Sequence, residues 1–218
     1  MAFVKAFLFI LALLVVTQAG YDTHVSHQLA GMSLIAYEQV SSIQAWSCSP
    51  CHSYKLTNIK AVSGDIQWFA GYSETLKGIV LSFRGSSNIP NWITNLSVGK
   101  ANYGKCSGCQ VHSGFLAAWN GIKAAVHSAI QGLKALHRDA PIFITGHSLG
   151  GAMATLAAPD VKESFGIHAL YTYGEPRVGN PEFSAWFKNV VYSYRIIHQA
   201  DIVPHIPWAN TGFLHEGE

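Results

Sequence analysis

Between residues 24 and 37 apolar side chains recur at helical spacing, with Leu29, Met32, Leu34 and Ile35 on one stripe, which predicts a helix. A polar, cysteine-bearing stretch follows and reads as loop. Residues 66–72 and 78–84 are rich in β-branched and aromatic side chains and are separated by a turn-like segment, the pattern of an antiparallel hairpin. Phe115, Trp119, Ile122, Val126, Ile130 and Leu133 then fall three and four apart, an amphipathic helix leading to a short apolar strand at 142–144. A small-residue helix over 150–158, a strand at 170–173, a helix near 181–187 and a strand at 191–198 complete the alternation. This order predicts an α/β fold: a mostly parallel central sheet with helices on both faces and an antiparallel edge near the N-terminus.

The first apolar run is of another kind. Lys5 precedes an apolar stretch at 6–16 that is too short to span a bilayer, and Thr17, Gln18 and Ala19 end in a small residue. Residues 1–19 therefore read as a signal peptide, the mature chain as starting at Gly20, and the protein as secreted and extracellular, with no stable membrane anchor. Residues 20–218 carry no repeat, charge run or low-complexity linker and suit one domain, expected to be a monomer. The formal charge is only +2 and the basic residues are scattered, so nothing favours nucleic acid, and neutral or apolar partners fit better. The four cysteines form two close pairs, Cys48 with Cys51 and Cys106 with Cys109. Zinc hooks, redox centres and local disulfides are the alternatives. The pairs lie too far apart for a zinc ribbon, and an oxidising compartment favours two disulfides, each stapling a small loop by about 2 kcal/mol.

The densest chemical signal is Gly146-His147-Ser148-Leu149-Gly150, set between the 142–144 strand and the small-residue helix. A serine on so sharp a strand-to-helix turn carries strained dihedrals, and side chains two positions either side would collide as the helix folds back. The turn also sets Ser148 at a helix N-terminus, where backbone N–H groups favour a developing oxyanion. Serine needs a base and an acid to orient that base. In sheets of this type the order is serine, acid, histidine, each at the end of a successive strand. Two acids follow strands at the right distance: Glu175, before Pro176, and Asp201. Topology favours Asp201, because the proline dictates a turn at Glu175, but leaves both standing.

The chain resembles the class 3 lipases, the fungal lipase-like branch of the α/β-hydrolases, from about Asp22 onward. The resemblance rests on residues 80–86 (VLSFRGS), 111–115 (VHSGF), 145–152 (TGHSLGGA), 173–180 (YGEPRVGN) and 201–204 (DIVP), in that order. It implies Ser148 as nucleophile, Asp201 as triad acid, and Ser86 with the backbone N–H of Leu149 as oxyanion hole. It implies no cofactor and no metal. Ile89, Trp92, Ile93 and Leu96 recur at i, i+3, i+4 and i+7 after Ser86, where the family carries a mobile apolar lid, implying a lipid ester substrate met at a lipid–water interface. Asn95 heads a glycosylation sequon on that lid, where a glycan would hinder movement. In the family the triad histidine lies well beyond the acid. It is therefore expected past residue 218, the sequence reading as a piece of a longer gene product, with His215 the fallback and His205 on the acid's own loop. The expected function is a secreted triacylglycerol lipase; a phospholipase A1 or feruloyl-type esterase is the alternative within enzymes, and a non-catalytic lipid- or glycan-binding protein the alternative outside them.

Overall fold

The computed structural model describes residues 20–216. The proposed signal peptide lies outside them. In chain order the elements are α1 (Thr23–Ile35), α2 (Val40–Gln44), β1 (Leu56–Val62), β2 (Trp68–Ser73), β3 (Gly78–Phe83), α3 (Ile89–Asn95), β4 (Lys100–Asn102), β5 (Gln110–His112), α4 (Ser113–Leu136), β6 (Ile142–His147), α5 (Leu149–Phe165), β7 (Ala169–Tyr173), α6 (Pro181–Val190) and β8 (Ser193–Ile196). Six strands form one sheet in the order β1-β2-β3-β6-β7-β8, while β4 and β5 make a separate small ribbon. Pairing is antiparallel from β1 to β3 and parallel from β3 through β8. This is the mostly parallel sheet with an antiparallel N-terminal edge that the alternation predicts.

Both sheet faces are covered, and the strands show why. Ile79, Leu81 and Phe83 of β3 join Ile142, Ile144 and Leu170 in the core built with α4, α5 and α6. Their neighbours Val80, Phe143 and Tyr171 point the other way, into a second core with Leu29, Met32 and Ile35 of α1. The period of two therefore persists inside strands buried at nearly every position, as expected of a parallel sheet covered on both sides. The close packing of α5 on the sheet requires Gly146 and Gly150: a Cβ on the first would overlap the Gly150 carbonyl, and on the second the Phe83 carbonyl.

The structure corrects the reading of residues 38–65 as loop, because α2 and β1 lie there. Only Leu56 and Ala61 of β1 are fully buried, an odd interval that hides the strand period. A register shift between Thr57 and Lys60, with Asn58 at φ 53°, inserts the extra residue that turns both inward. The ribbon β4–β5 also went unpredicted; its connection is closed by a Cys106–Cys109 disulfide, with Cα atoms 5.5 Å apart. Cys48 pairs with Cys51, Cα atoms 5.0 Å apart, beneath α1. The helix after Ser148 runs past Ala158 to Phe165, with Pro159 inside it.

Candidate active site

Ser148 stands between β6 and α5 at φ 56° and ψ −129°, a conformation that L residues avoid. Its N–H donates to the Tyr173 carbonyl at 2.9 Å, which ties the turn to the neighbouring strand. Its Oγ is buried and, among the described residues, has no hydrogen-bond partner. A buried hydroxyl on a strained turn costs stability on both counts, so a site of this kind points to use rather than packing. Leu149 is the first residue of α5 and its N–H falls among those that no helical carbonyl reaches.

Gly85 brings the end of β3 against this turn, for a Cβ there would lie 3.1 Å from Ser148 Cβ. Ser86 is the next residue. Its hydroxyl exchanges 3.2 Å contacts with Asn88, donating to the carbonyl and accepting from the N–H, at the entry to α3. On that helix Ile89, Trp92 and Ile93 are half-buried, as is Leu96 just beyond it. Trp92 stacks on Phe115 with ring centres 6.3 Å apart, and Leu96 packs against the same core. Between this helix and Leu149 lies a cavity of about 250 Å³, lined also by His112 and Phe115. Asn95 is exposed at the helix end, its Nδ2 donating to Asn91 O at 2.8 Å.

Asp201 follows β8. Its Oδ1 accepts the Val203 N–H at 2.9 Å, while Oδ2 faces Gly174 at the end of β7, where a Cβ would sit 2.6 Å away. Gly174 also has φ 55°, so glycine is required there on two grounds. Glu175, the competing acid, is buried and fully committed: Thr155 of α5 and Thr172 of β7 each donate a hydroxyl to one carboxyl oxygen. Burial raises its pKa against those hydrogen bonds.

Among the described residues no histidine bonds Ser148 Oγ. His215 Nε2 meets the Pro204 carbonyl, and burial, aided by Arg195 and Arg177 against that carbonyl, drives its pKa down to about 4. His205 is exposed on the 3₁₀ turn after Asp201. His112 caps α4 by accepting the Phe115 N–H and holds the Ser97 carbonyl at 2.7 Å, a structural role. His147 pairs through Nδ1 with the Tyr37 hydroxyl at 2.8 Å. Tyr37 went unnoticed in the sequence, because nothing local marks a tyrosine after α1 as a neighbour of residue 147.

Residues 80–211 match the family model described as lipase (class 3). A lipase from Rhizomucor miehei is 36% identical over 183 residues, covering 79% of this chain and 50% of its own. A secreted mono- and diacylglycerol lipase from Fusarium solani is 41% identical over 140 residues, 64% of this chain and 42% of its own. The chain thus spans about half the length of the curated relatives it matches. Lipase II from Rhizopus niveus superposes with a TM-score of 0.81 at 29% identity, covering 89% of this chain and 78% of that one. A triacylglycerol lipase whose catalytic centre is described as a serine protease triad gives 0.80 at 32% identity, over 89% and 77% of the two chains. With the glycine-flanked serine turn, the sheet order and the family match in agreement, the chain belongs to the class 3 lipase family.

Proposed function

We propose that this chain carries the nucleophile, triad acid and oxyanion donors of a secreted serine ester hydrolase that acts on acylglycerols at a lipid–water interface, with residues 1–19 as its signal peptide. The observation that carries the reading is Ser148 Oγ, buried without a partner among the described residues on a turn at φ 56°. Ser148 attacks the ester carbonyl, and a histidine C-terminal to the described residues takes its proton. Asp201 orients that histidine, and the Leu149 N–H with the Ser86 hydroxyl receives the oxyanion. Collapse expels the alcohol, and water releases the acid from the acyl-enzyme. In the structure Ser86 Oγ bonds Asn88 at 3.2 Å, a bond it would exchange for one to the oxyanion. One such donor is worth about 2.7–4 kcal/mol, so Ser86→Ala is expected to cut kcat roughly a hundredfold or more with little change in KM. Full turnover in that variant would reduce Ser86 to a turn-former.

The α3 segment supports a lid. It is a short helix covering the 250 Å³ cavity beside Leu149, held by Trp92 and Leu96 against Phe115 and its neighbours. Burying such side chains is worth about 1.5–3 kcal/mol each, so the helix closes in water and opens where lipid offers equal burial. The test of the function is hydrolysis of one acylglycerol below and above its solubility limit. The rate is expected to rise sharply when emulsion forms. Equal specific rates on monomeric and emulsified ester would remove the lid; hydrolysis confined to phospholipid or to feruloyl esters would move the substrate class.

A further inference from the structure

Gln67 stands one residue before β2 and is buried, with 5% of its surface exposed. Its backbone carbonyl accepts the Arg84 N–H at 2.9 Å, and its Oε1 accepts from Arg84 Nη1 at 3.1 Å. Its Nε2 donates at 2.7 Å to both the Ala36 and the Glu38 carbonyls, on either side of Tyr37. Only one orientation of the amide serves all three partners: turned over, its nitrogen would face a guanidinium donor and its oxygen two carbonyls. Closing the β2–β3 hairpin asks for no such group, so the side chain is explained by what it holds.

It holds the strand end that carries Ser86. Residues 83–85 run against the nucleophile turn without slack. A Cβ on Gly150 would fall 2.2 Å from Phe83 O and 2.9 Å from the Arg84 carbonyl carbon, and one on Gly85 would fall 2.5 Å from His147 O and 3.1 Å from Ser148 Cβ. The same Gly85 position lies 2.2 Å from the Tyr37 hydroxyl, which also bonds His147 Nδ1 at 2.8 Å. Residue 85, Tyr37 and the nucleophile turn thus meet at one point. Gln67 grips two of the three, through Arg84 and through the carbonyls that flank Tyr37.

We infer that Gln67 is a positioning residue for the oxyanion hole: its side-chain amide ties Arg84 to the turn at 36–38 and so fixes where Ser86, two residues beyond Arg84, meets the substrate oxygen. This rests on Ser86 being an oxyanion donor. The two donors differ in what supports them. The Leu149 N–H opens α5 directly after the nucleophile, so it moves with Ser148. Ser86 arrives on another strand, and among the described residues its hydroxyl bonds only within its own loop, to Asn88. Its anchorage therefore comes from upstream, from the residues that Gln67 holds. A donor of this kind works at about 2.7–3.1 Å from the oxyanion, and a misplacement of about 1 Å costs on the order of a hundredfold in rate.

The experiment is a double-mutant cycle between Gln67 and Ser86, read in the steady-state kinetics of ester hydrolysis by a protein that carries the triad histidine. Gln67→Met keeps the length of the side chain and removes its three bonds. Through displacement of the donor by a fraction of an ångström, kcat is expected to fall about tenfold, with KM held within about twofold. In the Ser86→Ala background the same substitution is expected to change kcat by less than about twofold, since no hydroxyl is left to misplace. Equal losses in both backgrounds, or full turnover in Gln67→Met, overturn the inference. Arg84→Met cuts the network from its other end and leaves the bonds from Gln67 to Ala36 and Glu38 in place. It is expected to show the same dependence on Ser86, and it decides if Gln67→Met fails to fold. A Ser86→Ala protein at full turnover sinks the oxyanion reading itself. A slow Ser86→Ala protein that Gln67→Met slows about tenfold further keeps Ser86 as the donor and sinks the role of Gln67.

Discussion

Replacing Ser148 with alanine in a protein that carries the triad histidine is expected to lower ester hydrolysis by about a millionfold and to abolish covalent capture of a fluorophosphonate, while the protein unfolds within a few degrees of its original temperature. The catalytic loss follows from the order of events: without Oγ there is no acyl-enzyme, and the remaining groups accelerate only a direct attack by water. The stability forecast follows from the structure. Among the described residues Oγ is buried with no partner, so its removal strands no donor or acceptor there, and the one bond lost is that to the triad histidine. A single such bond is worth about 0.5–1.5 kcal/mol net. The φ of 56° is as uncomfortable for alanine as for serine, so the turn itself is neither eased nor worsened. The rate should therefore collapse while the melting temperature stays within a few degrees. A Ser148→Ala protein that still hydrolyses ester would remove the nucleophile; one that loses both activity and several degrees of stability would show the serine to be a structural member.

What the sequence made legible follows the range of the forces involved. The elbow was readable because its steric requirements are local: Gly146 and Gly150 sit two residues either side of Ser148, and each is needed where a carbonyl crosses its Cα. The same holds for α4, whose apolar stripe closes over many turns, and for the β2–β3 hairpin. Strand β1 was hidden because its bulge breaks the alternation, leaving Leu56 and Ala61 five residues apart on one face. The ribbon β4–β5 was too short to establish a period. The choice between Glu175 and Asp201 was readable only in part. Both follow strands, and the difference lies in hydroxyls from two other elements, Thr155 and Thr172, that occupy Glu175. Tyr37 is the extreme case, 110 residues from the ring it touches, where no local pattern could betray it.

That contrast between the two acids leads to the second large effect. Asp201→Asn is expected to lower kcat about ten-thousandfold, the scale seen when the acid of a serine triad becomes an amide and its histidine is left in the wrong tautomer. Folding should survive. The amide oxygen can still accept the Val203 N–H that opens the 3₁₀ turn at Val203–His205, and Asp201 N–H keeps its own 2.8 Å bond to His198 O. Glu175→Gln should behave in the opposite way. Its carboxyl takes one hydroxyl on each oxygen, so the glutamine nitrogen must face a threonine that has been donating. Rotating that hydroxyl away from its bond costs about 1–3 kcal/mol in a buried setting, visible in thermal unfolding, with kcat changed only slightly. The pair of variants separates catalysis from packing without a structure of either. If Glu175→Gln loses the activity and Asp201→Asn the stability, the acid has been assigned to the wrong strand end, and the carboxyl clasped between α5 and β7 is the one that orients the base.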